Sequence, residues 1–216
     1  PDYFHKFGRV RGATVRVECK HRGSAPISVV NAAIEFKESA EFDSSEHVVA
    51  AVFDVDEHKL KPALKKANEK GVRCYVSDPC FELWLLLHFE ERTAAIHRDK
   101  VSSALKKKLR GYDKHVTDKH FAEISAGFSS ARRRAKTTSR NAPEGEFGTM
   151  ATTNVHELVD EIILAIGKFL GPEGELCCDS SEVKTALGAM LSVVIPKEQK
   201  VAGRAEGQRA RKAARR

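Results

Sequence analysis

VVAAVFDVDEHKLKPALKKANEKGVRCYV, Val48–Val76, decides how the chain is read. An apolar run, Val48–Phe53, stops on Asp54 and, one residue on, Asp56. Leu60, Leu64 and Ala67 then recur at helical spacing across Leu60–Lys70, and Gly71 supplies a stop. Val72–Val76 is a second strand. Strand, helix of about a dozen residues, strand is the pattern of a parallel βαβ unit. The expected fold class is α/β, with a mainly parallel central sheet flanked by helices and a helical C-terminal part.

Working outward, Tyr3, Phe4 and Phe7 form an apolar stripe on an opening helix that Pro1 suits. Val15 and Val17 alternate with Arg16 and Glu18, which predicts a half-buried strand over Ala13–Lys20. Gly23–Pro26 reads as a turn, and Ile27–Glu38 as a helix capped by Ser24 or Ser28. Downstream, Glu82–Phe89 lies in the largest apolar cluster and reads as a buried helix, a strand being the alternative. Further helices are expected over Arg98–Leu109, Phe121–Arg134 and Val155–Leu170, with Asp118 and Thr153 as caps for the last two. Thr137–Thr149 reads as a loop. Composition changes at Gly171, which divides a domain over 1–170 from a linker and a basic, disordered tail over 171–216; Val183–Val194 within it suits a short helix or strand.

The 216 residues suffice for one domain with a sizeable core and a tail. No apolar stretch reaches the roughly 18 residues that span a bilayer, and the start carries no secretory pattern. Five cysteines without CxxC spacing suit reduced thiols and a cytoplasmic protein better than a zinc site or a disulfide framework. Residues 197–216 hold eight basic and two acidic side chains, so six of the seven net positive charges sit there. Such an end is a solvated tail or a nonspecific nucleic-acid contact.

Asp54 and Asp56, two positions apart on extended chain, point the same way just past the carboxyl end of a strand, the edge where open α/β sheets place their sites. Two hard oxygen ligands there suit Mg²⁺, with Mn²⁺ as the substitute, and leave room for water and phosphate oxygens. The structural reading is that Asp56 caps the next helix and Asp54 opens the turn. Glu82, set among Phe81, Leu83 and Trp84, requires a partner: a basic side chain or the metal. Ser77 and Asp78 suit phosphate binding or helix capping. His88, in the apolar run, reads as a core histidine.

Cys80 lacks the surroundings of a thiol nucleophile. Neither a Walker A loop nor GxGxxG is present, so P-loop nucleotide hydrolysis has no support. Lys106, Lys107, Lys108 and Arg110 read as a solvated face. Arg132, Arg133, Arg134 and Lys136 form the better surface for a nucleic-acid backbone, with Arg132, Arg133 and Lys136 as the candidate contacts.

PDYF (Pro1–Phe4), VFDVDEH (Val52–His58), SDPCFELWLLLHF (Ser77–Phe89), YDK (Tyr112–Lys114), ARRRAK (Ala131–Lys136) and TTNVHELVDEI (Thr152–Ile162) together resemble the RloB-like family, found beside bacterial restriction and abortive-infection genes. That family is similar to Toprim-type metal-dependent nucleases. The resemblance implies a Toprim-like fold, a metal site from a first-strand glutamate and a later DxD, and an ABC- or AAA-type ATPase from the same locus as partner. Asp54 and Asp56 match the DxD, with Glu82 in support. The first-strand glutamate belongs to a segment resembling EGxxTEPxYF. This sequence starts at the proline of that pattern, and Glu18 is misplaced to substitute. The expectation is a fragment without that strand, weak or inactive by itself. Asp78, where the family usually shows asparagine, and MATTN (Met150–Asn154), without the usual proline, are smaller departures.

The resemblance thus implies a cytoplasmic Mg²⁺-dependent nuclease effector of an anti-phage, abortive-infection system, acting on RNA or DNA. The competing reading is a noncatalytic module of the same fold that docks on nucleic acid or on the ATPase. Nicking and rejoining of DNA ranks last, since Tyr3, Tyr75 and Tyr112 sit in no recognisable nucleophile context.

Overall fold

The structure, a computed structural model, describes residues 2–8, 25–44, 47–55, 60–141, 150–169 and 180–194. The chain forms two compact units. One comprises Lys20–Arg110 and Ser130–Leu158 and carries the sheet; the other comprises Pro1–Cys19, Gly111–Ser129 and Val159–Arg216 and is helical where described.

In the sheet unit, β1 (Ala50–Asp54) and β2 (Arg73–Asp78) pair in parallel, Ala50 opposite Arg73 and Asp54 opposite Ser77. The helix α3 (Leu60–Glu69) connects them, as the spacing of Leu60, Ala63 and Ala67 requires. Those residues pack with Val30, Ala33 and Ile34 of α2 (Pro26–Lys37), and with Ala51, Phe53 and Val72, in one apolar cluster. Gly71, at φ +61°, ends α3 in a Schellman turn: its N–H donates to Asn68 O at 3.1 Å, and Val72 N–H to Ala67 O at 2.8 Å. Lys37 reaches across from α2 and donates to Lys70 O and Gly71 O at 2.9 and 2.8 Å. The positive φ favours glycine there, whereas the 2.9 Å approach of a Cβ to that ammonium would be relieved by moving the flexible lysine tip.

A strand at Thr152–Thr153 was not part of the sequence expectation. The two-residue β3 (Thr152–Thr153) runs antiparallel to β2, in the order β1-β2-β3, so the described sheet is mixed: one parallel and one antiparallel pairing. Asn154 extends that pairing with its side chain. Its Oδ1 accepts from Val76 N–H at 2.6 Å, its Nδ2 donates to Cys74 O at 3.2 Å, and its N–H donates to Val76 O at 3.2 Å. The helix α4 (Glu82–Leu87) buries Leu83 through Leu87, apolar all round, which settles helix over strand. Each such leucine contributes about 1.5–3 kcal/mol on leaving water. The unit also holds α5 (Arg98–Lys108), nearly all of α7 (Phe128–Asn141) and the start of α8 (Val155–Phe169).

In the helical unit, Tyr3 of α1 (Asp2–His5) and Phe7 just beyond it stack on Phe121 of α6 (Asp118–Ala126), with ring centroids 5.7 and 5.3 Å away. Lys6 pairs with Asp118, and His115 with Asp2 at 2.7 Å. The helix α9 (Ser181–Val194) packs on α6 and buries Val183, Leu187 and Met190.

Several expectations are corrected. Phe121–Arg134 is not one helix: α6 ends at Ala126, Gly127 is its cap and α7 starts at Phe128. Of the stretch Thr137–Thr149 read as a loop, Thr137–Asn141 belong to α7, with Ala131, Ala135 and Thr138 forming a buried stripe, and 142–149 lie outside the described residues. The cap of α6 is Thr117 in a capping box with His120, and Asp118 is the first helical residue. Ser28 does not cap α2, which starts on Pro26 after the N-cap Ala25, and Ser24 lies outside the described residues. Within the stretch read as linker and tail, Ser181–Val194 is the helix α9. The strand expected over 13–20 and the ends 171–179 and 195–216 lie outside the described residues. Among the described residues no helix is long and apolar enough to cross a membrane.

Candidate functional site

The carboxyl end of β1 delivers Asp54 to the start of α4. Asp54 Oδ1 accepts the Phe81 N–H at 2.8 Å, an amide that α4 itself leaves without an internal partner. The carboxylate thereby complements the positive end of the helix dipole. Its other oxygen, Oδ2, lies 3.7 Å from Arg98 Nη2 at the first position of α5. The Asp54 side chain remains 30% exposed and that of Arg98 44%.

Cys80 and Glu82 complete the neighbourhood. Burial, then the negative charges of Glu82 and Asp54, push the Cys80 thiol far above its usual range, and a hydrogen bond with Glu82 adds to this; Arg98 acts in the opposite sense. The thiol stays protonated at neutral pH and is no nucleophile. The charges of Asp54, Glu82 and Arg98 all reach this buried sulfur. Glu82, half-buried as the first residue of α4, has the Cys80 thiol beside it.

Asp56, the second acid of the DxD, lies outside the described residues. Among the described residues, no three His, Cys, Asp or Glu side chains gather closely enough to hold a metal ion. The donors present, Asp54 with Glu82 nearby, fit a hard cation of the Mg²⁺ type, which binds through one or two carboxylates and keeps most of its water. They do not fit a caged, fully protein-ligated ion.

The other candidates separate. Ser77 is 1% exposed and shares its hydroxyl with Thr153 Oγ1 at 2.8 Å, so it joins β2 to β3 and does not face solvent. Asp78 is buried at the end of β2 and precedes Pro79 through a cis peptide. His88 is a core histidine: its Nδ1 donates to Trp84 O at 2.9 Å, and burial lowers its pKa to about 4.

The ARRRAK cluster divides by helical position. Arg134 turns inward and donates to Leu87 O at 2.6 Å, closing the carboxyl end of α4. Arg132 is half-buried, while Arg133, Lys136 and Arg140 follow one another at helical spacing and are exposed. On α5, Lys108 pairs with Glu90 at 3.0 Å, whereas Lys106 and Lys107 are exposed. Arg98 was missed by the sequence reading. One signal existed: a cation at a helix's first position opposes the dipole, which marks Arg98 as placed for something other than helix stability.

Compared with models of protein families, the chain matches RloB-like protein over residues 1–162. No curated protein and no solved structure resembles it closely enough to count as a match. The family match spans well over half of the 216 residues and takes in Asp54, Glu82, Arg98 and the basic face of α7. The chain belongs to the RloB-like family.

Proposed function

We propose that the chain is a Toprim-like, Mg²⁺-dependent nuclease that hydrolyses phosphodiester bonds of RNA or DNA, acting in the cytoplasm as an effector of bacterial anti-phage defence. The observation that carries this reading is Asp54: a partly exposed carboxylate at the carboxyl end of a parallel strand, one oxygen held by the Phe81 amide and the other facing Arg98 at 3.7 Å. The parallel β1-α3-β2 unit supports the Toprim comparison.

Asp54 and Asp56 would hold the cation, with Glu82 supporting them. A divalent cation at that edge supplies charge neutralisation for the phosphate and lowers the pKa of attacking water. The chain's own residues orient the site: the Phe81 N–H fixes one Asp54 oxygen, and the Arg133–Lys136–Arg140 face tracks the phosphate backbone by charge. An ABC- or AAA-type ATPase is the proposed partner that senses infection.

Cleavage of labelled tRNA, single-stranded DNA and duplex DNA with Mg²⁺ or Mn²⁺ tests this. Asp54→Asn should lower cleavage at least about 100-fold, the upper end of what losing even an outer metal partner costs. Equal cleavage by the variant removes the proposed site.

One observation favours the noncatalytic module instead: Arg98 already stands within ion-pair distance of Asp54. Under that reading Asp54 is a helix cap and a counter-ion, and Mn²⁺ titration gives no response that depends on it.

A further inference from the structure

Arg98 faces the Asp54 carboxylate. It begins α5, where a positive charge faces the positive end of the dipole. Its pair with Asp54 is long, at 3.7 Å, with both side chains substantially in water. Pairs of that kind add little to stability. The guanidinium lies beside the Asp54 carboxylate, 3.7 Å from its Oδ2, and its charge, like those of Asp54 and Glu82, reaches the buried Cys80 thiol. A planar fork on a long stem beside a carboxylate edge is suited to a phosphate, which it can hold through two parallel hydrogen bonds.

We infer that Arg98 is a phosphate-positioning residue that competes with a divalent cation for Asp54 Oδ2 and, when the cation takes that oxygen, turns to a nonbridging oxygen of the bound nucleic acid. The inference rests on the reading of Asp54 as a metal-holding carboxylate. It makes two predictions of opposite sign. Removing Arg98 relieves a positive charge at the cation's place, so cation binding tightens. Removing it also deletes a phosphate contact, so nucleic-acid binding weakens. An ion pair of merely structural value gives neither.

The test uses the full 216-residue chain. Free Mn²⁺ is followed by electron paramagnetic resonance at low ionic strength. Binding of a cleavage-resistant 2′-O-methyl single-stranded oligonucleotide is followed by fluorescence anisotropy in Mn²⁺. Arg98→Ala should tighten Mn²⁺ about fivefold, the effect of one unit charge at contact in water, and weaken the oligonucleotide about tenfold. Arg98→Lys should return Mn²⁺ affinity to that of the wild type while restoring only part of the oligonucleotide affinity, because the fork is lost. Circular dichroism confirms that both variants fold. Unchanged Mn²⁺ affinity or unchanged oligonucleotide affinity in Arg98→Ala overturns the inference and leaves the nuclease reading standing. If the wild type shows no Mn²⁺ binding that Asp54→Asn abolishes, the nuclease reading fails and the inference falls with it.

Discussion

At its amino end α4 meets a carboxylate, Asp54, through the Phe81 amide at 2.8 Å; at its carboxyl end it meets a guanidinium, Arg134, through the Leu87 carbonyl at 2.6 Å. Each charge complements the end of the dipole it faces. The surroundings differ. Beside Arg134 is His88, buried and neutral, whereas beside Asp54 are Glu82 and Arg98, both in partial contact with solvent. The carboxyl end is built as core. The amino end keeps its charges partly in solvent. One six-residue helix therefore joins a buried end to a charged end partly open to solvent.

The largest effect that sharpens this contrast is the pH response of His88. Its pKa in the folded chain, about 4, lies below the ordinary value of 6.5, so the unfolded chain takes up a proton that the native chain refuses. The associated stability is complete above pH 6.5 and is lost as pH falls toward 4. The loss amounts to about 2 kcal/mol by pH 5 and about 3 kcal/mol by pH 4. Urea unfolding across that range should show it, and His88→Gln should flatten the profile. An unchanged profile in the variant would mean that the carboxyl end is wetter than described.

Next in size, Arg134→Ala should cost about 2 kcal/mol, the worth of a hydrogen bond from a charged donor. It should also raise the pKa of His88, since the Arg134 charge opposes protonation there. Thermal unfolding with and without the substitution reads the first effect, and NMR titration of the His88 ring the second.

The smallest stability change belongs to the exposed face of the same helix. Arg133→Ala and Lys136→Ala should each leave stability within about 0.5 kcal/mol of the wild type. Each should also lower the slope of log affinity against log salt for an oligonucleotide by about one. If Arg133→Ala destabilises as much as Arg134→Ala, the division of the cluster into an inner and an outer half is wrong.

Much of this was legible beforehand where periodicity is strong. The run Val48–Phe53, the spacing of Leu60, Leu64 and Ala67, and Gly71 determine β1, α3 and the turn into β2 with little help from distant contacts, Ala63 joining that face and Leu64 lying only partly buried at its edge. Asp54 at the strand's carboxyl end follows from the same pattern. What could not be read depends on partners far away in the chain. Thr152 and Thr153 are too few to show alternation, and they become a strand only because β2 lies beside them. Ser77 looked like a phosphate contact until Thr153, 76 residues on, took its hydroxyl. Arg98 stands 44 residues beyond Asp54, and no local pattern announces the pairing. The helix α7 outran its expected end because polar TTSR still presents Thr138 to the core.

Asn154 carries a last consequence. The outer rung of the sheet is written by a primary amide, one atom accepting and the other donating, set against a backbone that offers the reverse. Conversion to aspartate, by mutation or by spontaneous deamidation, would keep the size and outline of the side chain yet turn an oxygen lone pair toward the Cys74 carbonyl. The seam between β2 and the residues before α8 is thus guarded by electronic identity instead of bulk, and an isosteric change there would act as a lesion that no measure of packing volume would foresee.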